Sequence, residues 1–125
     1  MKTLLIVAHG SRRSAANEEI QQLTQTVASR SGDRFEQVEC AFLELADPSI
    51  QQGVDALVAS GATSILVLPY FLAQGAHVAS DIPQALEQCK QNHPEIEITM
   101  TPYLGSSSAL PALMVELATV PSATV

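Results

Sequence analysis

Residues 3–8 read "TLLIVA", an unbroken apolar run of strand length that ends abruptly at His9-Gly10. Such a run suits a strand buried on both faces, since a half-exposed strand would alternate apolar and polar positions. Three further runs share its length and β-branched character: "FEQVECAF" (35–42), "TSILVLPY" (63–70) and "IEITM" (96–100). Each is followed by a segment with helical spacing. Ile20, Leu23 and Val27 lie between a cap at Ser14 or Asn17 and a stop at Gly32. Ile50, Val54, Leu57 and Val58 follow an Asp47 cap with Pro48 in the first turn, and Gly61 ends them. The third helix is expected to start between Ser80 and Pro83, pass Leu86 and Cys89, and stop before Pro94. The fourth starts in "GSSS" (105–108) and carries Leu110, Leu113, Met114 and Leu117. Regular alternation of strand and helix predicts right-handed crossovers and a four-stranded parallel α/β sheet with helices on both faces. Because "TLLIVA" is the most apolar run, it belongs inside the sheet, and the expected strand order is 2-1-3-4.

At 125 residues and 46% hydrophobic, the chain supports one domain, expected over residues 1–120, with a frayed tail at 121–125. A net charge of −7 with six Lys and Arg argues against a phosphate-tracking surface, so no nucleic-acid partner is expected. The first apolar run is too short and too weakly flanked for a secretion signal, and no stretch approaches the roughly 20 residues that cross a bilayer. A soluble, cytoplasmic protein is the expectation. Cys40 and Cys89 have no C-x-x-C spacing and suit buried positions.

Open α/β sheets place ligands beyond the carboxyl ends of their strands, where the strand order reverses. Three loops therefore matter: "AHGSRR" with His9, "LELADPS" with Glu44, and "FLAQGAH" with His77. Two imidazoles and a carboxylate suit a borderline divalent transition ion such as Co²⁺, Ni²⁺, Fe²⁺ or Zn²⁺. The alternatives are hydrogen-bonded structural histidines and a solvated glutamate. Gly10 and Gly75 favour close backbone approach. His93, beside Asn92 and Pro94 at a helix end, is read as non-functional. Arg12 and Arg13 are placed to meet an anionic ligand or to sit solvated in a first helical turn. Serine-hydrolase chemistry is excluded because Ser11 lies in no G-x-S-x-G elbow, and both G-x-x-x-x-G-K-[ST] and G-x-G-x-x-G are missing. A phosphohistidine phosphatase would carry Arg where this chain has Ala8.

"LLIVAHGSRR", "AFLELADPSI" and "ILVLPYFLAQGAHVASDIP" together resemble the class II tetrapyrrole chelatases, in particular the short, single-domain sirohydrochlorin chelatases. The resemblance runs in order from Met1 to about Leu117. It implies insertion of a divalent metal into sirohydrochlorin, Co²⁺ preferred and Fe²⁺ next, for cobalamin or sirohaem, with no organic cofactor. Related short members insert Ni²⁺. His9 and His77 are the implied metal residues, with Glu44 joining them as the catalytic acidic group; Gly10, Ser11, Arg12 and Gly75 are the expected substrate contacts. Longer relatives hold two such halves around the macrocycle, so a homodimer is expected, with the C-terminal helix and the "PYFLAQ" segment as candidate interfaces. A metal or tetrapyrrole carrier that binds without turnover is the alternative function.

Overall fold

A computed structural model describes residues 1–121, 123 and 124 of the chain. Its strands are β1 (Lys2–Ala8), β2 (Gln37–Phe42), β3 (Ser64–Pro69) and β4 (Glu97–Met100), and its helices are α1 (Ser14–Ser31), α2 (Ile50–Ala59), α3 (Ile82–Asn92) and α4 (Ala109–Thr119). All strand pairs are parallel, in the order β2-β1-β3-β4 read from the sequence. Of the tail expected at 121–125, Ser122 and Val125 lie outside the described residues.

Burial of β1 on both faces explains its composition. Leu5 and Val7 join Val54, Leu57, Ile65, Val67, Ile82 and Leu86 in a core beneath α2 and α3. Leu4, Ile6 and Ala8 point the other way, with Val38, Cys40 and Phe42, against Ile20 and Val27 of α1. Both thiols are free and buried as expected, and burial raises the pKa of each. Gly53 of α2 sits so close to β1 and β2 that a Cβ there would lie 3.1 Å from that of Ala41. α4 differs from the other helices, for it buries none of its residues. No helix among the described residues is long and apolar enough to cross a membrane.

The element ends depart from the sequence reading in informative ways. Ser49, rather than Asp47, caps α2 in a reciprocal box: Gln52 N–H donates to Ser49 Oγ at 3.1 Å, and Ser49 N–H donates to Gln52 Oε1 at 2.8 Å. Pro48 stays outside the helix because its carbonyl accepts from Phe42 N–H at 2.8 Å, prolonging the β2 edge. α1 begins after Arg13, and neither expected residue caps it. Asn17 instead clasps the loop after β1, accepting from Ser11 N–H at 3.0 Å and donating to the Ser11 carbonyl at 2.8 Å. α4 starts just beyond the expected "GSSS" because Leu104–Ser106 forms a separate 3-10 turn.

The segment expected to be a loop around His77 is a π-helical turn, His77–Asp81, that runs directly into α3. Ile82 N–H donates to the His77 carbonyl, closing the wider ring. Pro83 gives the physical reason. It offers no N–H to the carbonyl four residues back, at Ala79, and its ring crowds that position, so the preceding turn widens.

At the far end of α3, His93 Nε2 lies 2.7 Å from Asp55 Oδ1 and ties α3 to α2. That hydrogen bond holds the Asp55 carboxyl below its ordinary value of 3.8. The unfolded chain therefore binds the proton more readily, and the pair's stabilisation is present above 3.8 and lost as pH falls through the lowered native value. Urea unfolding between about pH 5 and pH 2 should show a shallower loss of stability in His93→Ala than in the wild-type chain. Identical slopes would refute the coupling.

Candidate metal centre

Parallel pairing levels the strand ends. Ala8 is in register with Phe42, and Val7 with Pro69, so the residues that follow β1, β2 and β3 emerge at one rim. The ladder continues past the strands: Leu43 N–H donates to the Ala8 carbonyl at 2.9 Å, Glu44 N–H to the His9 carbonyl at 3.0 Å, and Tyr70 N–H to the Val7 carbonyl at 2.8 Å. His9 and Glu44 are thus joined through their backbones before their side chains meet.

Gly10 makes that join possible. Its φ is +96°, and a Cβ there would overlap the Glu44 carbonyl. Immediately after Glu44 the chain turns through Leu45 at φ 68°, a left-handed conformation that a branched residue seldom adopts. The Glu44 side chain is thereby set against His9, with His9 Nε2 2.9 Å from Glu44 Oε1. His9 Nδ1 lies 2.9 Å from the Gly10 carbonyl, which can only accept, so Nδ1 is the protonated nitrogen of that bond.

His77 arrives from the π turn. Its ring centroid is 4.8 Å from that of His9, at an interplanar angle of 64°, and Phe71 stands behind it at 6.4 Å. Ligand atoms of His9, Glu44 and His77 all lie within 4.8 Å of one another. Nitrogen donors about 2.1 Å from one tetrahedral ion stand about 3.4 Å apart, so side-chain movement on the order of an ångström closes the set around a transition ion. The side chains are half-exposed, at 43% for His9, 53% for Glu44 and 44% for His77, which leaves them open to a guest. An adjoining pocket of 370 Å³ is lined by His9, Gly10, Ser11, Asn17, Tyr70 and Phe71.

All three expected catalytic residues therefore meet. Asp47 is not among the cluster's donors, and His93 lies at the opposite end of α3. Arg12 and Arg13 are exposed beside the rim, and Ser11 serves the turn, its Oγ accepting from Arg13 N–H at 3.0 Å. Gly75 has no neighbour within 4 Å of where a Cβ would stand, so packing within the chain places no demand for glycine there. Three participants escaped the sequence reading: Asn17, which clasps the Ser11 loop; Phe71, behind His77; and Asp81, whose Oδ2 lies 2.8 Å from His77 Nδ1. Only Asp81 left a signal, its position four residues after a histidine.

The sequence model of the CbiX family matches residues 3–119. The chain belongs to the CbiX family. The sirohydrochlorin cobaltochelatase of Methanocaldococcus jannaschii is 38% identical over 93 residues, covering 74% of this chain and 64% of that protein. The solved structure of the CbiX protein from Marinobacter aquaeolei VT8 superposes with a TM-score of 0.79 at 25% identity, over 94% of both chains. SirB from Bacillus subtilis, solved with Fe³⁺, superposes with a TM-score of 0.83 at 29% identity, over 96% of this chain and 48% of SirB. This CbiX-family chain thus spans less than two thirds of the cobaltochelatase and about half of SirB.

The close approach at Gly10 has a measurable consequence. Gly10→Ala should destabilise the chain by about 1–3 kcal/mol, because strain at positive φ adds to collision with the Glu44 carbonyl. Gly32→Ala, also at positive φ but facing nothing within 4 Å, should cost less. Equal losses in urea unfolding would show that the collision is relieved elsewhere.

Proposed function

We propose that the chain inserts a divalent metal ion into sirohydrochlorin in the cytoplasm, Co²⁺ by preference and Fe²⁺ next, without an organic cofactor. The observation that carries this reading is the meeting of His9, Glu44 and His77 at an open rim. The cobaltochelatase name of the archaeal relative and the iron in the SirB structure support the choice of ions. Ni²⁺ has compatible ligand preferences and is the third ion to test.

Insertion replaces two pyrrole N–H protons with one M²⁺, so two protons leave the ring for each ion that enters. In this scheme His9 and His77 present the ion to one face of the macrocycle through imidazole nitrogen. As the ion passes to the ring nitrogens, both imidazoles are released from coordination and each takes one of the two pyrrole protons; half-exposed His77 gives its proton directly to water, and His9 holds the other beside Glu44. Glu44, in contact with His9, balances the ion's charge and relays that proton to water. Gly10, Ser11 and Gly75 keep the rim low enough for a flat guest. Arg12 and the backbone N–H groups opening α1 offer positive potential to the substrate's carboxylates, offsetting the net charge of −7.

A homodimer is the proposed working unit. Leu113, Met114, Val115 and Leu117 on α4 are exposed large apolar side chains, more than an isolated helix face ordinarily leaves in water. The 370 Å³ pocket falls near the small end of ligand sites. This chain covers 48% of SirB, which leaves room in that protein for a second unit of this size.

With sirohydrochlorin under anaerobic conditions, the purified chain should turn over repeatedly, fastest with Co²⁺ in competition with Fe²⁺ and Ni²⁺, followed by absorbance. Incorporation that stops at one equivalent would identify a carrier instead. His9→Ala and His77→Ala should each slow insertion by at least roughly 10²-fold with unchanged circular dichroism, while His93→Ala stays within about twofold. Light scattering should give the mass of two chains for the wild type and of one for the Met114→Asp, Leu117→Asp double variant. A monomeric wild-type chain with full turnover would overturn the dimer.

A further inference from the structure

Asp81 has no part in the chemistry above, yet its carboxylate is committed to one of the cluster's rings. We propose that Asp81 is a positioning residue: it accepts the Nδ1–H of His77, fixes that ring's tautomer and plane, and so reserves the Nε2 lone pair for a divalent transition ion. The assignment rests on His9, Glu44 and His77 being where the ion binds.

Four observations carry it. His77 Nδ1 and Asp81 Oδ2 are 2.8 Å apart, a charge-assisted hydrogen-bond distance. Asp81 is the last residue of the π turn, in helical backbone conformation where the chain runs on into α3, and its side chain makes no bond to a backbone N–H that would compete for the carboxylate. Both partners are 44% exposed, so the pair contributes little to stability, and its value lies in geometry. Finally, the same π turn fixes His77 through its backbone, because the His77 carbonyl accepts from the N–H of Ile82, next to Asp81. Ring and main chain are thus held from one short segment.

The two histidines are prepared alike. His9 gives Nδ1–H to the Gly10 carbonyl, and His77 gives Nδ1–H to the Asp81 carboxylate, so each ring is held at Nδ1 with Nε2 on the cluster side, where that of His9 already meets Glu44 Oε1 at 2.9 Å. A ligand imidazole whose other nitrogen donates to a carboxylate or carbonyl is oriented and made a better donor, and loss of that partner typically lowers metal affinity 10- to 100-fold.

The experiment pairs ¹⁵N NMR of the histidine rings in the metal-free chain with Co²⁺ titration followed by visible absorption, for wild type, Asp81→Ala and Asp81→Asn. In the wild type, His77 should show a protonated Nδ1 and a bare Nε2. Asp81→Ala should shift His77 toward the Nε2–H tautomer, weaken Co²⁺ binding by about 10- to 100-fold and alter the absorption band, with an unchanged melting temperature. Asp81→Asn, whose amide oxygen can still accept Nδ1–H, should recover the tautomer and part of the affinity. Wild-type tautomer and wild-type Co²⁺ affinity in both variants would overturn the assignment, and if Asp81→Ala fails to fold, Asp81→Asn alone decides by the same two measurements. Should Co²⁺ binding survive His9→Ala and His77→Ala as well, the metal site itself is misplaced; should it be lost there and persist in the Asp81 variants, only the role of Asp81 is wrong.

Discussion

The backbone bond from Glu44 N–H to the His9 carbonyl, made past the ends of their strands, is the constraint on which the candidate site depends. It continues the β1–β2 ladder beyond Ala8 and Phe42, so the register of the core strands is carried out to the rim. A shift of one residue between β1 and β2 would turn the side chains that follow to opposite faces. That register is in turn held by apolar burial on both sides of β1, with Leu5 and Val7 on one face and Leu4 and Ile6 on the other. Core packing and site geometry are therefore consequences of the same pairing, and Gly10 is where they touch.

The third member of the cluster is held differently. His9 and Glu44 hang from the strand ladder, whereas His77 is set by a π turn whose width follows from Pro83 two residues into α3. Val78 and Ile82 on that segment are buried, anchoring the turn to the core while His77 remains half-exposed. The rim thus combines two rigid supports with ligands that retain room to move. An open site of this kind suits an ion that is taken up and released, as the proposed function requires; a closed structural site would hold it.

α4 is the part of the fold that a single copy leaves unexplained by its own packing. Gly105, in the turn leading to α4, lies so close to Leu72 that a Cβ would overlap the Leu72 carbonyl, and its N–H donates to the Phe71 carbonyl at 2.9 Å. The root of α4 is thereby fixed to the segment that also carries Phe71 toward His77. Any surface that covers α4 would consequently stand close to the rim.

Strand number, order and parallel pairing were legible in the sequence because they depend on local apolar runs and on general rules of crossover handedness. The residues His9, Glu44 and His77 were legible too, since strand ends in such sheets are where ligands gather. Helix ends were less so. Asp47-Pro48 outweighed the quieter S-x-x-Q box of Ser49 and Gln52, and the use of the Pro48 carbonyl by Phe42 is a contact between segments that local pattern does not contain. By itself the sequence determined which side chains exist at the rim and which elements deliver them. Only the tertiary structure decided that Glu44 meets His9, that Asn17 clasps the Ser11 loop, and that Asp81 holds His77, because side-chain direction depends on φ at Gly10 and Leu45 and on the width of one helical turn.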